Sequence, residues 1–200
     1  MKQSMIVALS CLLLVLASAA CKSTPEGRIM GDSEEDYVGS KAAGSATYDR
    51  LIEEAVGKLL DRRSASNQGD SIRVAYLGVE NKSAEDLGDL REQIYELIDT
   101  SIETSERYRS ISKRFVDAGL RETGLTREDL FIPKHRRAFI EVLEASGNPV
   151  EYILFSKLTS GTTQGDSVKQ RDYMLTLELV DVETGDFDKE SARIRKAYTR

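Results

Sequence analysis

The run Gln170-Arg-Asp-Tyr-Met-Leu-Thr-Leu-Glu-Leu-Val-Asp-Val182 decides the fold. Tyr173, Leu175, Leu177 and Leu179 fall on one side of an extended chain, with Thr176 and Glu178 on the other. That period of two is the mark of a half-buried antiparallel strand. Thr184-Gly185-Asp186 turns the chain, and Phe187 to Ala197 alternates again, Ala192 and Ile194 opposing Arg193 and Arg195. Charges of this kind suit a sheet edge. Upstream, Glu151-Tyr-Ile-Leu-Phe-Ser-Lys-Leu158 reads as a further strand, and the polar Ser160–Asp166 stretch as the turn that follows it. Two consecutive hairpins therefore end the chain.

The region before them alternates helix and strand. Ile72-Arg-Val-Ala-Tyr-Leu-Gly-Val79 is nearly all apolar, as expected of a strand buried on both faces. A helix over Thr47–Arg62 precedes it, with Leu51, Ile52, Ala55, Val56, Leu59 and Leu60 on one face. A second helix is predicted from Asp86 to about Arg107, striped by Leu87, Leu90, Ile94, Leu97, Ile98 and Ile102. Residues 109–111 read as a short strand and Lys113–Glu122 as a short helix. Thr126-x-x-Asp129 resembles a capping box. Pro133 suits a first helical position, and Gly147-Asn148-Pro149 stops the helix it opens. The fold class is α+β: a single domain over 47–200, with a mixed β-sheet of about four strands, helices packed on it and C-terminal β-hairpins.

The amino terminus is of another kind. Lys2, an apolar run from Met5 to Leu16, and small residues up to Ala20 make a signal peptide over 1–20. The run is shorter than the roughly 20 apolar residues of a membrane-spanning helix. Ala19-Ala20-Cys21 has the form of a bacterial lipoprotein cleavage site, with Cys21 acylated after the cut between Ala20 and Cys21. Ser18 stands where such sites usually hold an aliphatic residue, so ordinary cleavage after Ala17-Ser18-Ala19 is the alternative. Cys11 leaves with the signal, and acylation accounts for the single cysteine that remains. Lys22 follows where an inner-membrane retention signal would place Asp, which favours the outer membrane, periplasmic face. Residues 21–46 are rich in Gly, Ser and acid and show no apolar period, so they read as the lipidated end and a disordered linker. About 24 such residues span on average about 25–30 Å as a flexible coil.

Composition narrows the function. The 200 residues carry a net charge of −6, one unit more negative once Lys2 is removed with the signal. This excludes a general nucleic-acid binder and polybasic docking to lipid. With no Trp and 6% aromatic residues, a stacking platform for sugars or single strands is disfavoured. His135 is the single histidine, and with no cysteine in the folded part the usual zinc sets are excluded. Neither a G-x-S-x-G elbow nor a P-loop is present; Gly161-Thr-Thr-Gln-Gly165 leads into a strand, where a phosphate loop leads into a helix. Glu34-Glu35-Asp36 solvates the linker, and Lys134, Arg136 and Arg137 read as a solvated helix face or a docking patch. No catalytic constellation, metal site or cofactor site emerges, and the protein reads as a non-enzyme.

Three stretches carry a family likeness: Ile72–Val79 running into Glu80-Asn81-Lys82-Ser83, the helix that ends before Tyr108-Arg109-Ser110-Ile111, and Gln170–Leu179 with Asp181-Val-Glu-Thr-Gly185 and Ile194-Arg195-Lys196. From about Ser71 to Arg200 the chain resembles the LpoB family, lipoprotein activators of penicillin-binding proteins. Phe187 stands where that family often has Trp, and Ala75–Gly78 lacks a Pro common there. The resemblance implies a lipid-anchored protein whose domain docks on a regulatory domain of a bifunctional penicillin-binding protein and favours its active state in peptidoglycan synthesis. Contact residues expected on that basis are Asn81, Lys82 and Ser83 in one loop, with Thr162 and Gln164 in the Ser160–Asp166 turn. The alternative is a lipoprotein subunit of an envelope secretion or assembly complex, similar to curli-channel lipoproteins or the TolB amino-terminal domain. The Leu158–Tyr173 connection is too polar for a membrane-crossing hairpin.

Overall fold

The computed structural model describes residues 43–64, 71–164 and 168–199. The signal peptide, Ala20, Cys21, the acidic run of the linker and Asp166 lie outside the described residues. In chain order the elements are α1 (Ser45–Ser64), β1 (Ile72–Lys82), α2 (Leu90–Glu103), β2 (Tyr108–Ser110), α3 (Lys113–Thr123), a 3-10 turn (Glu128–Phe131), α4 (Pro133–Ala145), β3 (Tyr152–Gln164), β4 (Val168–Asp181) and β5 (Phe187–Thr199).

The sheet has the order β2-β1-β3-β4-β5. β1 runs parallel to both β2 and β3, while β3–β4 and β4–β5 are antiparallel hairpins. The split follows from the connections. Parallel strands need a long crossover, which α2 supplies between β1 and β2, and α3 with α4 on the return from β2 past β1 to β3. The alternating carboxyl-terminal strands need only turns. In the last of these, Asp181 Oδ1 accepts the backbone N–H groups of Glu183 and Thr184, each at 2.9 Å.

Both sheet faces carry a core. On one, Leu51, Ala55 and Leu59 of α1 and Ile94, Ile98 and Ile102 of α2 pack on Tyr76, Leu154, Tyr173 and Leu177. On the other, Val116 of α3, Leu130 of the turn, and Phe139 and Leu143 of α4 pack on Ala75, Ile153, Phe155 and Val180. The register of β1 against β3 slips between Tyr76 and Val79. Gly78, at φ +80°, absorbs the extra residue. Because of that bulge Tyr76 and Val79, three apart, both join the α1–α2 core. At Gly119 a side chain would meet the Phe139 ring at 3.0 Å, so α3 and α4 touch nearly backbone to ring.

Several expectations need correction. α2 starts at Leu90, not near Asp86: the N–H of Gly88 turns back onto Asp86 Oδ1 at 3.1 Å, and Gly88 itself has φ +44°. Leu97 of its predicted stripe is exposed. Ser160–Gln164 is strand, not turn. The run Thr162-Thr163 is β-branched and pairs with Arg171 and Gln170, extending the hairpin. Arg136, expected on a solvated face, is buried and donates from Nε to Val182 O at 3.4 Å, tying α4 to the β4–β5 turn.

Candidate functional site

The carboxyl end of β1 opens into a loop that its own side chains hold. Asn81 Nδ2 donates to Glu85 O at 2.7 Å, while Asn81 Oδ1 accepts from Ser83 N at 3.0 Å and Ser83 Oγ at 2.7 Å. Ala84 N donates to Ser160 Oγ at 2.9 Å, fastening the loop to β3. The loop carries Glu85 to a hub that the sequence did not disclose. Glu85 Oε2 accepts from Ala43 N at 3.0 Å and Tyr48 Oη at 3.3 Å, and Oε1 accepts from Arg171 and Tyr173. One carboxylate thus joins the entry of α1, the loop and β4.

The residues expected to bind a partner divide by role. Asn81 and Ser83 spend their polar atoms inside the loop. Lys82 is exposed and pairs with Glu80 at 2.9 Å. That hydrogen bond holds the Glu80 carboxyl below the usual range and the Lys82 amine above its own. Thr162 and Gln164 are exposed at the end of β3. Register sets Lys82 opposite Thr159, and Thr162 opposite Arg171, so all five gather at one end of the sheet. By strand alternation, Thr162 and Gln164 sit on the α1 side and Lys82 on the other.

The polar interior beneath is structural. Tyr76 Oη and Ser156 Oγ lie 2.9 Å apart, and Arg127 donates to the carbonyls of Gly78 and Ser156, each at 3.1 Å. These bonds satisfy the backbone that the bulge frees. Burial drives the Tyr76 hydroxyl far above its ordinary value, so it serves as a neutral hydrogen-bonding group. Among the described residues no group of three His, Cys, Asp or Glu could hold a metal ion. His135 lies half-buried on α4. The arrangement offers fixed hydrogen-bonding edges and exposed charge, the means of a docking module.

Comparison with known proteins supplies the family. Residues 42–187 match the family described as peptidoglycan-synthase activator LpoB. The chain belongs to the LpoB family, and it acts as an activator of a peptidoglycan synthase, not as an enzyme. Among solved structures, the LpoB C-terminal domain from Salmonella enterica is similar at 15% identity and TM-score 0.51, over 74% of this chain and 97% of that one. The LpoB C-terminal domain from Escherichia coli follows at 15% identity and TM-score 0.49, over 72% and 97%. Lipoprotein GNA1162 from Neisseria meningitidis shows 17% identity and TM-score 0.43, over 63% and 83%. No curated protein matches the chain in sequence.

Proposed function

We propose that the mature chain, cut between Ala20 and Cys21 and lipidated at Cys21, sits at the periplasmic face of the outer membrane. There its folded domain binds a bifunctional penicillin-binding protein on a non-catalytic domain. The observation that carries this reading is the family match over 42–187, which spans the helices and strands β1 to β4. An activator without catalytic residues can shift its partner only by binding the active form more tightly than the resting one. A tenfold gain in activity requires a differential of about 1.4 kcal/mol. A lipid tether raises the local concentration and makes a modest interface sufficient. The docking edge is the sheet end that carries Lys82, Thr162 and Gln164, with Asn81 and Ser83 holding its loop in shape.

The test is a glycan-polymerisation assay with the purified bifunctional synthase of the same organism, with and without this protein. Faster polymerisation together with saturable binding supports the reading. Equal rates and no binding overturn it.

A further inference from the structure

The sheet face opposite α1 is only half covered. Among the described residues, α1 is the helix that lies against β4 and β5, and it does so from the other side. Strand register resolves the uncovered face into rows. The first, Ile153–Val180–Phe187, is roofed by the α4 core as far as Val180. In the second, Phe155 lies under Phe131, ring centroids 4.3 Å apart and stacked. Beyond these the face is open. Lys157, Thr176 and Ser191 make the third row, and Thr159, Met174 and Arg193 the fourth, extended by Lys82 on β1. Gly161, Asp172 and Arg195 make the fifth.

Three properties of this face point to a ligand. Its floor is small (Thr159, Gly161, Thr176 and Ser191), so another surface can approach the backbone closely. Apolar side chains stand out from it: Met174 is 38% exposed and Phe131 52%. Phe131 also lines a notch of about 120 Å³ with Lys157, Thr176 and Glu178. Its charge is reversed from that of the chain. Across the open rows Lys82, Lys157, Arg193 and Arg195 stand against Glu80 and Asp172, which are engaged by Lys82 at 2.9 Å and Arg195 at 3.2 Å, while at the rim Glu178 pairs with Lys189 and Glu128 with Arg127. This excess of two positive charges lies in a chain of net −6. Arg193, opposite Met174, has no ion-pair partner among the described residues.

We infer that this open face of β3, β4 and β5, centred on Met174 and Arg193, is the surface that receives an acidic patch of the synthase. The inference rests on the proposed function and extends the partner's place from the sheet end, through Lys82, onto this face. Charge complementarity selects a protein over a lipid surface: recognition of anionic headgroups uses clusters of about four to eight Lys or Arg, and here two acids are interleaved. Rows lie about 7 Å apart and strands about 4.8 Å, so the open rows present a patch roughly 15 Å across. The Phe131 turn enlarges it toward the roughly 800 Å² per partner of a standard interface.

The experiment measures binding of the full chain to the purified bifunctional synthase in detergent, at low and high salt, for wild type, Met174→Glu, Arg193→Glu, and Arg137→Glu on the exposed part of α4 as a control. Thermal melts check that each variant is folded. The expected result is a loss of affinity of at least about tenfold for each of the two platform variants, wild-type affinity for the control, and weaker salt dependence for Arg193→Glu. Folded Met174→Glu and Arg193→Glu that bind like wild type would overturn the platform and leave the proposed function standing. A wild-type chain that fails to bind the synthase overturns both. Vesicles of phosphatidylethanolamine and phosphatidylglycerol, 3:1, provide the remaining arm: an Arg193→Glu defect there with synthase binding intact assigns the face to lipid and overturns the proposal.

Discussion

Glu85 and Tyr173 lie 88 residues apart in the chain and share one hydrogen bond, the Tyr173 hydroxyl donating to Glu85 Oε1. Arg171 donates to the same oxygen, and both side chains of that ion pair are largely buried. Removing one member of such a pair costs about 3–5 kcal/mol, because the other is left buried without its countercharge. Glu85→Ala should therefore lower the melting temperature by roughly 10 °C in a domain of this size. Glu85→Gln, which keeps an acceptor, should lose less. Calorimetric melts of the two variants check the order.

Gly119 makes the second prediction. A methyl group there meets Phe139 at 3.0 Å and Leu143 at 3.3 Å. Gly119→Val adds more volume to a helix contact with no room for it. The expected cost is about 2 kcal/mol or more, from overpacking and a β-branched side chain in a helix. Denaturant midpoints should fall with an unchanged slope. A variant as stable as wild type would show that α4 can move away without loss.

What was legible in the sequence divides along the same line. The alternation of Tyr173, Leu175, Leu177 and Leu179 is local, and it announced β4 and the buried face. The period of Leu51, Ala55 and Leu59 announced α1 for the same reason. Where the outcome depended on distant chain, the signal was missing. Glu85 follows a polar loop like any other, and only the folded sheet brings Arg171 and Tyr173 to it. Arg136 reads as one of three solvated cations until the β4–β5 turn is seen above it. Residues 160–164 look like a turn because they are small and polar, yet each has a partner across the hairpin to pair with. The uncovered face was invisible for a related reason: alternation shows which residues are opposite the core, not which of them a helix will later cover.

Asp99 predicts a dependence on pH. Burial raises its carboxyl above the usual range, beyond what the Ser110 hydroxyl donated to it can offset, and Glu103 adds repulsion. In the window between the ordinary Asp value of about 3.9 and the raised native one, the native state holds a proton that the unfolded chain has released. Native stability therefore falls as pH rises through that window and is level above it. Asp99→Asn keeps an acceptor for Ser110 without the charge. It should melt above wild type at pH 7, and the gap should close as the pH falls below the carboxylate range. A gap that is constant with pH would show that the ionisation of Asp99 carries no cost.

Cys21 makes a prediction about processing. Lipidation requires the thiol, so Cys21→Ser should leave the protein unanchored, either uncleaved or cut at Ala17-Ser18-Ala19. Fractionation of cells and mass spectrometry of the amino-terminal peptide read the outcome. An acylated Cys21 peptide in the wild type, with loss of the variant from the membrane fraction, is expected. An unmodified wild-type chain beginning at Ala20 would show ordinary signal cleavage and remove the tether from the mechanism.

The residues at the sheet end separate folding from docking. Asn81 makes three hydrogen bonds within its loop, and Ser83 shares two of them. Asn81→Ala leaves those groups unsatisfied and should cost about 1–3 kcal/mol of stability. Lys82, whose side chain is exposed and, among the described residues, ion-paired only with Glu80, should behave in the opposite way. An exposed ion pair of this type contributes about 0–1 kcal/mol, so Lys82→Glu leaves the melting temperature nearly unchanged. Its reversed charge, in the same cross-strand row as Arg193, should instead slow association with the synthase at low salt and matter less as salt screens the encounter. Thr162→Ala and Gln164→Ala, on the opposite side of the same hairpin end, should weaken binding only severalfold and with little salt dependence. Melts and association rates on the one set of variants distinguish the two roles. Lys82→Glu with the association rate of wild type at low salt would remove this sheet end from the encounter surface.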